Sequence, residues 1–174
     1  MTAVRAAIGL GSNLGDSAAV LFEAAGAVDG LPQTTRVAQS RLYATPAWGL
    51  EAQPDFLNAV VVVETALAPH ALLDHLLGIE RAAGRDRSAA ATRWGPRVLD
   101  LDVLLHGAAR IDGPGLQVPH PYLHQRAFAL APLLEAWPDA VIPGIGPADQ
   151  ALARIPAVAM RAVPYAPWDA ARPD

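Results

Sequence analysis

The sequence predicts an α+β fold: an antiparallel sheet with helices packed on one face, in the order βαββαβ, and added elements at the C-terminal end. Three observations predict it. Two stretches in which apolar residues recur every three or four positions, near 17–29 and 69–83, alternate with β-prone runs at 4–10, 34–43, 56–65 and 99–105. Glycine and proline punctuate the junctions between them. The 174 residues suit one unit able to bury a sizeable core, so 1–174 is read as a single domain, with no internal repeat.

Taken in order, Val4 to Leu10 reads as a buried strand ending at Gly11-Ser12-Asn13-Leu14-Gly15-Asp16. Such a glycine-containing turn either holds an anion at the following helix N-terminus or only needs unusual backbone angles, and it lacks the full dinucleotide fingerprint. The helix that follows places Val20, Leu21, Ala24, Ala25 and Val28 on one side, with Asp16 or Ser17 as N-cap and Gly30 past its end. Thr34 to Tyr43 is the second strand and the valine run Phe56 to Thr65 the third. Between them, Ala44 to Asp55 carries two prolines and a tryptophan, the composition of an ordered, functional loop rather than a linker. Phe56 and Asn58 share a strand face, where an aromatic ring and an amide could bind a flat heterocycle; alone, a phenylalanine in such a strand is more often a core residue than a ligand contact.

Pro69 to Ala83 reads as an amphipathic helix burying Leu72, Leu73, Leu76 and Leu77, with Gly84 at its end. Glu80 is out of place in it, near the apolar stripe and in the last turn, where the helix dipole disfavours an anion. It either pairs with Arg81 or Arg85 or accepts hydrogen bonds from a ligand. The small polar residues of 85–92 form a loop whose arginines could close over phosphates. Further on, a turn and short return strand cover 107–113, and a site-like stretch from Val118 to Phe128 leads into a helix over 125–136. His120 and His124 lack the third histidine or cysteine that zinc would want. A short helix at 149–154, an edge strand at 158–163 and a loose tail complete the chain. The strand and helix order is the ferredoxin-like plan.

Chemistry concentrates at Arg93-Trp94-Gly95-Pro96-Arg97-Val98-Leu99-Asp100-Leu101-Asp102-Val103. In a strand, residues i and i+2 share a face, so Asp100 and Asp102 stand side by side while Leu99, Leu101 and Val103 face the core. Two neighbouring carboxylates in an apolar run repel unless a cation bridges them or one stays protonated. Magnesium, with oxygen ligands completed by water and phosphate, suits the pair, and Arg93 and Arg97 supply phosphate donors. The bland reading is a solvated edge-strand face. Composition trims the options further. A net charge of −4 disfavours nucleic-acid or membrane surfaces, and the lack of cysteine excludes disulfides and thiol chemistry and suits the cytosol. All thirteen basic residues are arginine, so there is no P-loop lysine and no Schiff base. The N-terminus is no signal peptide, and no apolar run approaches membrane length.

Arg93 to Asp102 resembles the Arg-Trp-Gly-Pro-Arg-x-x-Asp-x-Asp signature of the 6-hydroxymethyl-7,8-dihydropterin pyrophosphokinase family. The likeness extends through Gly11-Ser12-Asn13, Thr45-Pro46, Gln53 to Asn58, Ile79-Glu80, Gly84 to Arg87, Val118-Pro119-His120 and Arg126-Ala127-Phe128, over about residues 4 to 145. The resemblance implies transfer of pyrophosphate from ATP to the pterin hydroxymethyl group, releasing AMP, in folate biosynthesis, with two Mg2+ ions held by Asp100 and Asp102. It further implies that Phe56 and Phe128 sandwich the pterin while Asn58 and the backbone of Thr45, Pro46 and Trp48 read its edge. Glu80, Arg87, Trp94, Arg97, Val103, His120 and Arg126 would line the nucleotide site, and Arg85 and Arg97 would steady the transferring group. A cytoplasmic monomer is expected. Phe56, Trp48 and Pro121 depart from the family's commoner tyrosine, leucine and tyrosine, and the arginine loop is about two residues longer. Two rival functions are a non-catalytic pterin- or nucleotide-binding module, which could lose the acids, and a ferredoxin-like RNA- or protein-interaction domain, which would want a basic face.

Overall fold

β-branched side chains keep the valine-rich run at 56–65 extended, and the sheet assembles around it. The computed structural model describes residues 2–46, 54–84 and 98–173. In chain order these form β1 (Val4–Ser12), α1 (Ser17–Asp29), β2 (Thr34–Gln39), β3 (Leu42–Thr45), β4 (Phe56–Thr65), α2 (Pro69–Ala82), β5 (Asp100–His106), β6 (Ile111–Gly113) and β7 (Leu116–Val118). A 3-10 turn at Leu123–Gln125 precedes α3 (Ala127–Ala136), β8 (Val141–Ile142), β9 (Gly146–Pro147), α4 (Ala148–Ala153), β10 (Arg161–Val163) and α5 (Ala166–Ala170). The main sheet runs β10-β3-β4-β1-β5, with β2 also on β4, and its pairings are antiparallel. This is a mixed fold of antiparallel sheet and helices.

Alternation along the strands sorts side chains into two cores. Ile8, Leu10, Ala59, Val61, Leu101 and Val103 pack with Leu21, Ala25 and Val28 of α1 and with Leu72 and Leu76 of α2. Ala7, Val60, Val62, Leu104 and Leu105 pack instead with Leu130 and Leu133 of α3 and with Ala148 and Ala151 of α4. A register shift opposite Ala7 and Ile8 lets both Leu104 and Leu105 fall on this second face. The expected one-sided arrangement is thus corrected: helices cover both faces. The unbroken run Val60 to Val63 is apolar on both sides of the sheet, and both sides must be removed from water.

Other boundaries shift for local reasons. The expected strand 34–43 is two strands, because the chain breaks at the buried Ser40, whose Oγ accepts from Val60 N–H (3.0 Å) and donates to Arg41 C=O (2.7 Å). The expected helix 125–136 divides into the 3-10 turn and α3, which meet at Arg126 in an extended conformation. α1 follows its predicted caps: Asp16 Oδ1 accepts from Ala19 N–H (3.3 Å) and Gly30 closes the far end.

The C-terminal stretch is no loose tail. β10 pairs with β3, Arg161 opposite Ala44 and Val163 opposite Leu42. Trp168 of α5 is fully buried in the first core, its Nε1–H donating to Ser40 C=O (2.9 Å) and its own C=O accepting from Gln39 Nε2 (3.2 Å). Nearby, Glu135 of α3 accepts from the Arg41 guanidinium (3.0 Å), from the Arg41 backbone N–H and from the Tyr43 hydroxyl. Among the described residues no helix is long and apolar enough to cross a membrane.

Candidate active site

Three adjacent strands make the floor of one cavity. Across β4, β1 and β5, Asn58 pairs with Gly11 and Gly11 with Asp100; one step along, Val60 pairs with Gly9 and Gly9 with Asp102. All six residues line a cavity of about 700 Å3. The central row has no side chains, so the amide on one strand and the acids on the other look onto a shared bare trough. A Cβ at Gly11 would lie 3.2 Å from Asn58 Oδ1, and one at Gly9 3.4 Å from Leu104. β1 was expected to stop at Leu10 because its glycines resemble a turn; the strand runs on to Ser12, and the glycines lie within it.

The wall on the β4 side is aromatic and amide. Phe56, Asn58, Thr45, Pro46 and Phe128 all face the cavity. Asn58 Nδ2 donates to Thr45 Oγ1 (2.7 Å), which fixes the amide and leaves its oxygen and second N–H for a ligand. Asn13 Nδ2 donates to Pro54 C=O (3.0 Å), tying the first loop to the residues just before β4.

The wall on the β5 side is charged. Asp100 and Asp102 are half-buried and alternate with the buried Leu99, Leu101 and Val103, as period two requires. His120 joins them through its backbone, its N–H donating to Leu104 C=O (3.0 Å). Its Nδ1 accepts from Tyr122 N–H (3.3 Å), which leaves Nε2 as the donor of a neutral ring. Burial, with the nearby Arg126 charge, pulls the His120 pKa from 6.5 down to about 4, against the opposing pull of Asp100. The Arg126 guanidinium carbon lies 5.3 Å from the Tyr122 ring centre and 5.6 Å from that of Phe128, within cation–π range of both rings.

The structure therefore brings together Thr45, Pro46, Phe56, Asn58, Asp100, Asp102, His120, Arg126 and Phe128. It does not bring Val103 or Glu80 to the cavity. Val103 shares the face of Leu101 and packs in the first core, because it is an odd number of positions from Asp102. Glu80 is 1% exposed, and its Oε2 accepts from Leu101 N–H at 2.7 Å. Trp48, Arg85, Arg87, Trp94 and Arg97 lie outside the described residues. Sequence reasoning gave Gly9 no part in a site, read Gly11 as part of a turn rather than a cavity floor, and reached Tyr122 and Gln125 only as members of the site-like stretch 118–128; for the glycines, the signal was their i, i+2 spacing at the end of an apolar strand.

Two carboxylates on one strand face, open to a cavity with phosphate-compatible donors, fit Mg2+ that keeps waters and binds nucleotide oxygens. Among the described residues, no group of three or more His, Cys, Asp or Glu could form a protein-only cage. The chemistry thus open to the site is transfer of a phosphoryl-type group to a flat, hydrogen-bonding acceptor.

Comparison with known proteins agrees. A family model described as 7,8-dihydro-6-hydroxymethylpterin-pyrophosphokinase (HPPK) matches residues 7–138. The 2-amino-4-hydroxy-6-hydroxymethyldihydropteridine pyrophosphokinase of Methylorubrum extorquens is 50% identical over 143 residues, covering 80% of this chain and 87% of that protein. The protein of the same name from Pseudomonas aeruginosa is 45% identical over 139 residues, 80% of this chain and 84% of its own. Among solved structures, Plasmodium falciparum HPPK-DHPS with pteroate matches at a TM-score of 0.67 and 15% identity, covering 87% of this chain. That likeness is one of fold, and this chain spans 42% of that longer one.

Proposed function

The chain belongs to the 7,8-dihydro-6-hydroxymethylpterin-pyrophosphokinase family, and we propose from its cavity how the family's reaction is carried out here. It is a diphosphokinase of folate biosynthesis that transfers pyrophosphate from ATP to the hydroxymethyl group of 6-hydroxymethyl-7,8-dihydropterin. The observation that carries the site assignment is the facing of the Phe56, Asn58 and Phe128 wall and the Asp100 and Asp102 wall across the glycine trough of β1. A pterin stacked between Phe56 and Phe128 meets, at Asn58, one acceptor and one donor held in orientation by Thr45, the pattern its aminopyrimidinone edge requires. The backbone of Thr45, Pro46 and Trp48 completes that edge.

The pterin hydroxyl oxygen then attacks the β-phosphorus, the bond from that phosphorus to the α,β-bridging oxygen breaks, AMP leaves, and the hydroxyl proton is released to solvent. Asp100 and Asp102 would hold Mg2+, two ions in our reading, whose chemistry is to neutralise phosphate charge and align the β-phosphorus. His120, neutral and donating from Nε2, and Arg126 offer hydrogen bonds to the nucleotide's phosphates without competing for the acids. By the family resemblance, Arg87, Trp94 and Arg97 would bind the nucleotide, and Arg85 and Arg97 would steady the transferring group. Val103 can take part only through its main chain, its side chain being in the core.

The strand order β3-β4-β1-β5, with α1 and α2 on one face, supports a ferredoxin-like core. We read the chain as one domain working as a cytoplasmic monomer, without nucleic-acid or membrane partners. The test is a product assay with ATP, Mg2+ and the reduced hydroxymethylpterin. AMP and diphosphorylated pterin in equal amounts are expected; ADP with a monophosphorylated pterin overturns the reading.

A further inference from the structure

Glu80 raises a question that the cavity leaves unanswered. A carboxyl side chain in the last turn of α2 suffers from the helix dipole, and burial adds a desolvation cost, yet Glu80 is 1% exposed and does not line the cavity. Its Oε2 instead accepts, at 2.7 Å, the backbone N–H of Leu101, the residue between the two acids. β5 lies at one end of the main sheet, with β1 as its neighbour there. The Leu101 N–H points away from β1, to a side where, among the described residues, no further strand of the sheet receives it, and α2 supplies the acceptor.

We infer that Glu80 is a positioning residue for the Asp100 and Asp102 pair, acting on the nucleotide site through the backbone of β5. In a strand, the peptide units on either side of residue 101 set where the Cα–Cβ bonds of residues 100 and 102 point. Pinning the Leu101 N–H from the outer edge, while Leu10 and Gly11 of β1 hold register from the inner edge, stops β5 from twisting away and splaying the acids. The Leu101 side chain, buried in the first core, fixes the third direction. Among the described residues, Glu80 forms no set of three potential ligands with the two acids, so its influence on a bound metal is indirect. Outer groups of this kind orient ligands and tune metal affinity. The inference rests on the reading of the acids as magnesium ligands.

The test uses the full-length protein, α,β-methylene-ATP as the nucleotide, and equilibrium titration with and without Mg2+, beside hydrogen exchange at the Leu101 amide. Glu80→Ala should reduce the Mg2+-dependent gain in nucleotide affinity by about tenfold to a hundredfold. It should speed exchange at Leu101 and leave the metal-free affinity unchanged. Glu80→Gln, which keeps an acceptor oxygen of the same shape, should restore both. If Glu80→Ala does not fold, Glu80→Met fills the space without that oxygen and is held to the same expectations. An intact Mg2+-dependent gain in the variant lacking the acceptor overturns the inference. So does a loss that falls equally on metal-free binding, since Glu80 would then touch the nucleotide itself, or a Glu80→Gln variant as impaired as the truncated one. None of these readouts depends on turnover, so failure of the functional reading is seen separately, as wild-type protein that forms no AMP.

Discussion

The same three strands present two unlike faces. Toward α1 and α2, β1, β4 and β5 offer Ile8, Leu10, Ala59, Val61, Leu101 and Val103, all buried aliphatic side chains in one dry core. Toward α3, the alternate positions begin in the same way, with Ala7, Val62 and Leu105. They then change within one pleat to Val60, Gly9 and Asp102, and finally to Asn58, Gly11 and Asp100. One residue of alternation separates the groups that hold the sheet together from those that face the cavity. A substitution should accordingly harm stability or catalysis, depending on the parity of its position.

The largest effect expected is on the cavity face. Asp100→Ala and Asp102→Ala should each lower turnover by orders of magnitude while leaving the melting temperature equal or higher, because removing one of two neighbouring acids relieves repulsion in the metal-free protein. AMP formation measured beside a thermal melt checks both halves, and near-wild-type activity in either variant would refute the assignment. On the dry side, Leu21→Ala in α1 should cost about 2–5 kcal/mol of stability with kcat of the folded protein close to wild type; denaturant unfolding with active-site titration decides this. A matching loss of kcat would show that the two faces are coupled.

A smaller effect concerns pH. His120 titrates near 4 in the folded protein against an ordinary 6.5, chiefly through burial. As pH falls, the unfolded chain takes up its proton first, so stability present above pH 6.5 is lost between 6.5 and about 4. His120→Gln should lessen the drop in denaturation midpoint between pH 7 and pH 5; an unchanged drop would mean that the ring is charged or solvated when folded. The smallest effect is expected for Gly11→Ala. Its methyl group would crowd Asn58 Oδ1, which the Thr45 hydroxyl keeps from retreating, so KM for the pterin should rise modestly with little change for ATP. A KM for ATP that rises as much would place the trough on the nucleotide's path.

Much of this was legible because it is periodic. The valine run of β4 and the i, i+2 acids of β5 fall to strand alternation alone. The covering of both faces was not, since helical spacing tells which side of a helix is buried but not which side of the sheet receives it. Gly9 and Gly11 were hidden by their own chemistry, as glycine near a strand end usually signals a turn. Glu80 stood out in its helix, but its partner is a backbone N–H 21 positions away that no side-chain pattern announces. Trp168 sits in a proline- and alanine-rich stretch without periodicity, and its partner Ser40 is 128 positions distant.

That C-terminal segment also bears on how molecules of this protein meet one another. Without β10, the outer edge of β3 would offer a row of unsatisfied backbone donors and acceptors beside the cavity, a template for pairing with a second chain. β10 covers that edge and replaces it with a poorer one. The new edge is three residues long, carries the exposed Arg161, and is followed at once by Pro164, which has no N–H to donate. With Trp168 anchoring the segment in the core, the sheet ends in a border that is short, charged and hard to extend, which disfavours aggregation through this edge.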